Sequence, residues 1–469
     1  MKRTLKRITA FLISAILMLS VLTACGETAT LIPFTTETSA ELNLDGYKLN
    51  VADYISNKGF TFMSYKENTN LYDAVIQRFS DVEDELNCEI NMIETDYQIT
   101  DLISMLLAGN VKYEAFYGGH GDLHDIAQGD LVIPASDYPD IIDVRNYDKY
   151  GTPSIQECNS YNGKIVILSP VSWLYRQPSA LELLVFNMDH VNRFGKTNPR
   201  EFLENGTWNW DALEHVISDY YIKEDESEIY SLVCRGFDML KLLCLGNGVS
   251  FTYKDSDGNI KSDFGQPNML EAIDFYSKLE NEYSDRYLDK DSWDYLVESF
   301  VELQNSMACL TTAWQLYEDI SYEVKNYSVL PFPTGPQGEY GIWPSAVEGM
   351  QGFEVLNGCD EPEFAFRIID MICEPLPGYE TEEARLEYLA ENVLYDIQDA
   401  EVVMNTHKNG TYSYWKAEIG NFQPDTLWRE IAKNNRPASE VIGQYSNLFN
   451  QAIEEYMTPN LEIEKYFEE

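Results

Sequence analysis

Apolar residues in this chain first run together and then recur at two periods. Ile8 to Leu22 is an almost unbroken apolar stretch. The residues from Gly59 to Tyr65 (GFTFMSY) combine β-branched and aromatic types and predict a strand. Leu71, Val75, Ile76, Phe79, Val82 and Leu86 recur at helical spacing and predict a helix. Cys88 to Ile93 alternates like a second strand. Ile99 to Ala108 is a predicted helix closed by Gly109-Asn110, and Tyr113 to Tyr117 a third strand broken by Gly118-Gly119. Strand, helix, strand, helix, strand implies a parallel α/β sheet, and ligands of such sheets sit beyond the carboxyl ends of the strands. Two tips therefore become candidate site residues: Tyr65 and Glu67, and Tyr117 with His120 and Asp122.

A second unit begins near Ala180. Leu181 to Asn187 predicts a strand with a short helix through Phe194, and Asn209 is placed to cap a helix opened by Trp208-Asn-Trp210. Two short strands flank the turn Asp257-Gly258, and Pro267 starts a helix that runs to Asn281. The turn-rich Val329 to Gly338 reads as a crossover, Pro362 to Ile372 as a helix, and the last 90 residues as mostly helical.

The apolar run at the start changes meaning once its flanks are considered. Lys2, Arg3, Lys6 and Arg7 precede it without an acid, and Leu22-Thr23-Ala24-Cys25-Gly26 follows. A charged n-region, a short apolar core and a small-residue site predict a secretory signal peptide over 1–24. The run is shorter than the roughly 20 residues a helical span needs. A cysteine directly after the small residue resembles the lipobox of bacterial lipoproteins. That resemblance implies cleavage before Cys25, acylation of Cys25, and a chain anchored by lipid on the extracellular face of the cell membrane. One acyl chain holds weakly, at about 0.8 kcal/mol per buried methylene, and two or three hold durably. Residues 25–45, Thr/Glu-rich and unpatterned, read as a lipidated cysteine and flexible tether.

The chain has 469 residues, 78 acidic and 33 basic, for a net charge of −45. Such a body repels nucleic acid and anionic lipid surfaces, so neither is expected as a partner. The length left after the signal suits two domains. Seven cysteines besides Cys25 are widely spaced without a CxxC, which points to buried free thiols rather than a zinc or redox site. His120 and His124 lie four apart, but glycines around His120 argue against a regular helix, and no metal or cofactor is expected. Asp255 to Asn259 resembles half a calcium loop but lacks its glycine and final glutamate, so a hairpin turn is the better reading. No GxSxG, HExxH or phosphate-binding loop occurs. With this many acids a glycosidase carboxylate pair stays open by counting alone.

Six stretches in sequence order carry a family resemblance: DLISMLLAGNVKYEAFYGG, AQGDLVIPASDY, YNGKIVILSP, LLVFNMDHVNRFG with NGTWNWDALEHVI, MACLTTAWQL and SVLPFPTGPQG. Together they resemble the extracellular solute-binding proteins of bacterial ABC importers, in the family that includes maltose-binding protein. The resemblance implies an α/β, two-lobed periplasmic-binding-protein-like fold of type II with the ligand cleft between lobes. Lobe one would take 46–170 plus 331–385, and lobe two 171–330 plus 386–469. It also implies which residues line the cleft: Trp173, Tyr175, Arg235, Phe237, Asp238, Trp314, Trp343, Glu348 and Trp428, the aromatics among them read either as stacking surfaces or as core. Trp208 and Trp210 are assigned to the core. The implied function is a monomeric receptor, not an enzyme, that captures a small solute, expected to be a sugar in view of 13% aromatic residues, and passes it to ABC permease subunits in the membrane. A surface glycosidase and a sensor or adhesion lipoprotein on the same fold remain the rivals.

Overall fold

The chain divides into two units, Met1–Leu42 and Asn43–Glu469, and the elements below lie in the second. The computed structural model describes residues 42–54, 69–95, 99–110, 112–173, 182–224, 227–250, 252–254, 260–262, 265–290, 292–346, 351–413, 429–434 and 436–457. The N-terminal apolar run, Cys25 and the predicted strand at 59–65 lie outside these residues.

The first sheet opens earlier than the hydrophobic pattern predicts, with β1 (Tyr47–Tyr54). Helix α1 (Asn70–Leu86) follows. The Thr69 hydroxyl accepts from the Tyr72 N–H at 3.2 Å, satisfying one of the helix's free amides, and Asn87 ends the helix at φ 49°. Leu71, Val75, Phe79, Val82 and Leu86 form its buried stripe as predicted, while Ile76 is turned outward and 41% exposed. Strand β2 (Cys88–Thr95), helix α2 (Ile99–Leu107) and strand β3 (Ala115–Gly119) complete the predicted alternation, with β2 and β3 both parallel to β1. Gly109 takes φ 65° just past α2, the left-handed conformation its glycine suits. Strand β3 is not broken at Gly118 but runs through it. A Cβ there would stand 2.4 Å from Phe116 Cε1, so the missing side chain makes room for that ring. Helix α3 (His120–Gln128) leaves β3 directly, correcting the expectation of an irregular loop around His120. Strand β4 (Val132–Ile133) follows.

The chain then crosses to a second sheet. On the way Leu168 exchanges two backbone hydrogen bonds of 2.9 Å with Phe353. Strand β5 (Glu182–Asn187) is buried at every position. Asn209 caps α4 (Trp210–Asp219), accepting from the Ala212 N–H at 3.2 Å. Trp208 and Trp210 are core residues, as assigned: the Trp208 indole donates to the Pro331 carbonyl at 2.7 Å, and Trp210 stacks on Phe275 with ring centres 4.6 Å apart. Strand β6 (Val233–Cys234) leads into α5 (Gly236–Gly246), which is buried along its whole length. The predicted hairpin arms are present as Thr252–Lys254 and Ile260–Ser262, antiparallel, and its turn lies outside the described residues. Helix α6 (Pro267–Tyr283), strand β7 (Leu288–Asp289), strand β8 (Ala308–Thr312) and strand β9 (Tyr327–Pro331) complete this half. The sheet order is β7-β6-β8-β5-β9, with β6 parallel to β7 and β8, and β5 antiparallel to β8 and β9.

The return passes through β10 (Trp343–Ala346) to β11 (Gln351–Leu356), which joins the first sheet antiparallel between β3 and β4 in the order β2-β1-β3-β11-β4. Helix α7 (Pro362–Ile372) packs on α1, β1 and β11, whereas α8 (Ile397–Lys408) packs on β9. The chain therefore passes between the sheets three times. Among the described residues the C-terminal region is helical as expected, its last element being α9 (Ala438–Met457), except for β12 (Gly410–Ser413), which pairs parallel with β10. No disulfide joins the described cysteines to one another; Cys88 is half-buried and the other six are buried. Among the described residues no helix is long and apolar enough to cross a membrane.

One core residue breaks the apolar pattern. Glu354 in β11 lies opposite Phe116, is 0% exposed, and neither carboxylate oxygen has a hydrogen-bond partner among the described residues. Burial pushes its pKa well above the ordinary value. The folded state therefore holds a proton that the unfolded state releases, so this group's contribution to stability falls as pH rises above about 4.5. Glu354→Gln should flatten that part of the fall in melting temperature between pH 5 and 8. Glu354→Met, which removes the unsatisfied polar atoms, should gain about 1–3 kcal/mol at pH 7.5. Denaturant titrations in which the Gln variant keeps the parent's pH slope would refute this account.

Candidate functional site

The parallel strands of the second sheet end together, and the chain places chemistry at those ends. Arg235 follows β6, Lys290 follows β7, and Ala313-Trp314 follows β8. Because β5 runs the other way, its first residue, Glu182, is paired with Thr312 at the same end. Two of these strands are only two residues long, so the turns that follow carry the side chains.

A row of alternating charges leads from the surface into the core. Arg235, 22% exposed at its side chain, pairs through Nη1 with Asp238 Oδ2 at 3.1 Å. Asp238, in the first turn of α5, accepts from Lys241 Nζ on its other oxygen at 3.1 Å, and Lys241 reaches Glu182 Oε1 at 3.5 Å. Asp238 and Lys241 are 1% exposed. A lysine is this deeply buried only when paired. The Arg235 guanidinium lies 4.4 Å from the centre of the Trp293 ring, and Lys290 Nζ lies 4.5 Å over Tyr295. Trp293, Trp314, Arg235, Lys290 and Tyr295 are all half-buried, so each keeps a face toward solvent. Their supports are fixed. The Asp289 carboxylate accepts from the Gly236 N–H at 2.8 Å, holding the start of α5. Gln315 Nε2 donates to the Trp293 carbonyl at 3.3 Å while its Oε1 accepts from Thr311 Oγ1 at 2.6 Å. Aromatic faces beside fixed charged rims suit a polar ligand with an apolar face.

The sequence-derived residues divide on this geometry. Arg235, Asp238, Phe237 and Trp314 come together at the strand ends, with Phe237 9% exposed and 5.8 Å from Lys241 Nζ. Trp173 is a correction. It is 0% exposed, and its indole N–H is shared between the Ile372 and Glu374 carbonyls at 3.0 Å each, so it closes the C-terminus of α7 rather than lining a cleft. Tyr117 is likewise interior at 1% exposure, donating to Gln351 Oε1 at 3.0 Å and packing its ring on Phe353. Trp343, 7% exposed, sits in β10 with its ring edge-on to Tyr340. His120 and Asp122 occupy the first turn of α3, at the carboxyl end of β3. His124, on the same helix, is buried, with Nε2 2.9 Å from the Cys158 carbonyl. Tyr65, Glu67, Tyr175, Glu348 and Trp428 lie outside the described residues. Among the described residues no group of three or more His, Cys, Asp or Glu converges as a metal would need. Trp293, Lys241 and Glu182 were not anticipated. Trp293 follows a two-residue strand too short to show a period, and a lysine inside a helix gives no hint of burial.

No family model matches the chain, and no curated protein matches its sequence. Solved structures share its fold. A sugar transporter from Rhizobium etli, in an open conformation, is 12% identical over 87% of this chain and 99% of its own, with a TM-score of 0.62. An ABC substrate-binding protein from Listeria monocytogenes in complex with cycloalternan is 12% identical over 87% of this chain and 99% of its own, with a TM-score of 0.58. The sugar-binding protein MalE from the phytopathogen Xanthomonas citri is 11% identical over 87% of this chain and 97% of its own, with a TM-score of 0.58. At such identities the likeness is one of fold: this is the α/β fold of the type II periplasmic binding proteins.

The charge row is asymmetric in burial, and its variants should differ accordingly. Asp238→Ala takes from the buried Lys241 its hydrogen-bonded carboxylate on α5 and should cost about 3–5 kcal/mol in chemical denaturation. Arg235→Ala removes the partly exposed end and should cost about 1 kcal/mol or less. Equal losses from the two variants would contradict the assignment of Asp238 as the anchor of the row.

Proposed function

We propose that the protein is a lipid-anchored extracellular solute-binding protein that captures a small carbohydrate and delivers it to an ABC-type permease. One observation carries the reading: the Arg235–Trp293 stack, backed by buried Asp238, Lys241 and Glu182, stands at the carboxyl ends of parallel strands in a fold shared with sugar-binding proteins. An aromatic face binds the C–H face of a sugar, and the charged groups beside it bind its hydroxyls. The three passages of chain between the sheets are compatible with a hinge that closes on ligand. The residues before the fold support anchoring: the basic start, the apolar run and Ala24-Cys25.

The test is thermal unfolding of the full chain against mono- and oligosaccharides, amino acids and peptides. A true ligand at 100 times its dissociation constant should stabilise by about 2.7 kcal/mol, and no product should accumulate on long incubation. Trp293→Ala should cut the shift by half or more, the part that the strand-end site supplies, without lowering the unliganded melting temperature by more than a few degrees. A shift with peptides alone would discard the carbohydrate, and turnover would discard the receptor. Anchoring has its own readout. Cys25→Ser should move the protein from the membrane fraction to the soluble exported fraction, and continued membrane retention would rule out the lipid attachment.

A further inference from the structure

A cavity lies beside the start of β9, the edge strand of the second sheet, at the opposite end of that sheet from the strand-end site. It is open, about 360 Å³ in volume, and is formed by Ser321, Lys325, Asn326 and Tyr327 on one side and by Leu394, Tyr395, Asp396 and Asp399 on the other. That volume falls in the range of small-molecule sites.

Tyr395 is what sets this cavity apart. The Leu394 N–H bonds back to the Leu389 carbonyl at 2.8 Å, closing a helical turn, and Tyr395 follows at φ 58°. This is the position just past a helix end that glycine or asparagine normally fills. Four of the six non-glycine residues with positive φ among those described are Asp or Asn, which tolerate it; a bulky aromatic does not. Packing gives no compensation, because Tyr395 is 59% exposed. A strained backbone that displays an aromatic ring to solvent breaks two local rules at once, and such breaches gather at binding sites.

The polar groups around it are held in place by bonds that leave capacity for a ligand. The Tyr327 hydroxyl donates to the Leu394 carbonyl at 2.5 Å, and Asn326 Nδ2 donates to Asp189 Oδ1 at 2.7 Å. Lys325 donates to the Tyr322 carbonyl and keeps two further N–H donors. Asp396 accepts from the Gln398 and Asp399 amides through Oδ1. Tyr322 and Tyr388 are close enough that the Tyr395 phenol adds to the rise that burial gives their pKa values. One ammonium, two carboxylates of which the buried Asp399 is paired with Arg200, an amide, a hydroxyl and an exposed ring make a rim of donors and acceptors beside an apolar face, with the acidic charge offset by Lys325 and Arg200.

We propose that this cavity is a separate carbohydrate-binding site for one or two sugar rings, with Tyr395 as the stacking platform. The proposal stands apart from the reading of the strand-end site and would survive its failure.

The test is calorimetric titration of the full chain with maltose, cellobiose, lactose and mannobiose, together with Trp293→Ala, Tyr395→Gly and Tyr395→Phe. At least one disaccharide should still bind Trp293→Ala. Tyr395→Gly should weaken that binding by about tenfold or more, the scale of a lost stacking ring. Tyr395→Phe should keep it. Glycine relieves the positive φ, so the melting temperature of Tyr395→Gly should equal or exceed the parent's, which excludes misfolding as the cause of lost binding. The proposal is overturned if no disaccharide binds Trp293→Ala, if Tyr395→Gly binds like the parent, or if Tyr395→Gly melts lower, since the tyrosine would then be structural.

Discussion

The buried ammonium of Lys241 is the interaction on which the second half of the molecule depends. It bonds Asp238 on its own helix and faces Glu182 at the first residue of β5, where the chain enters the second sheet. The Glu182 N–H in turn donates to Ser345 Oγ at 3.3 Å, in the segment by which the chain leaves that sheet. One cation thus ties the all-buried helix α5 to the entry of the sheet, and the Glu182 amide ties that entry to the exit. Removing two charges from water costs several kcal/mol per ion, and only close partners on fixed elements offset it. The offset is available because β5 is antiparallel to β8: that reversal brings Glu182 to the end of the sheet where α5 begins. Chain direction, helix placement and the position of Arg235 at the surface then follow from one arrangement.

Glu354 makes the contrast. It is as buried as Lys241, but it lies within a strand opposite Phe116, where its oxygens find no donor among the described residues. Its solution is to keep its proton rather than to find a cation. The two residues show the two ways a core accepts an ionisable group. They leave different signatures: Lys241 makes the fold sensitive to loss of a partner, whereas Glu354 makes it sensitive to pH.

Much of the fold was legible because it is written in periods. The stripe of α1, the Asn209 and Thr69 caps and the Gly109 stop are local signals, and each forms where the sequence places it. Strand β1 was missed because Tyr47 to Tyr54 mixes Lys, Asn and Asp into its alternation. Helix α3 was doubted because glycine disfavours a helix interior; here Gly119 lies at the N-cap, where it costs little, and the helix absorbs Gly121. The site was half legible. Arg235 and Asp238 flank the start of a helix and could be picked out, but Trp293 and Glu182 reach them only through strand pairings remote in sequence.

The tryptophans show why composition alone could not separate core from site. Trp173 and Trp208 are wholly buried, and each donates its indole N–H to backbone carbonyls: Trp173 at the end of α7, Trp208 at the end of β9. Trp293 and Trp314 are half-buried, and Trp293 carries a guanidinium on its face instead. The residue type is the same, and what differs is whether a backbone carbonyl or open solvent meets the ring. That is set by the last residue of each strand, because a strand that stops short leaves the next side chain at the sheet's edge. In this fold the short strands β6 and β7 are what leave these rings and charges at the sheet's edge, and the same shortness hid them from any reading based on periodicity.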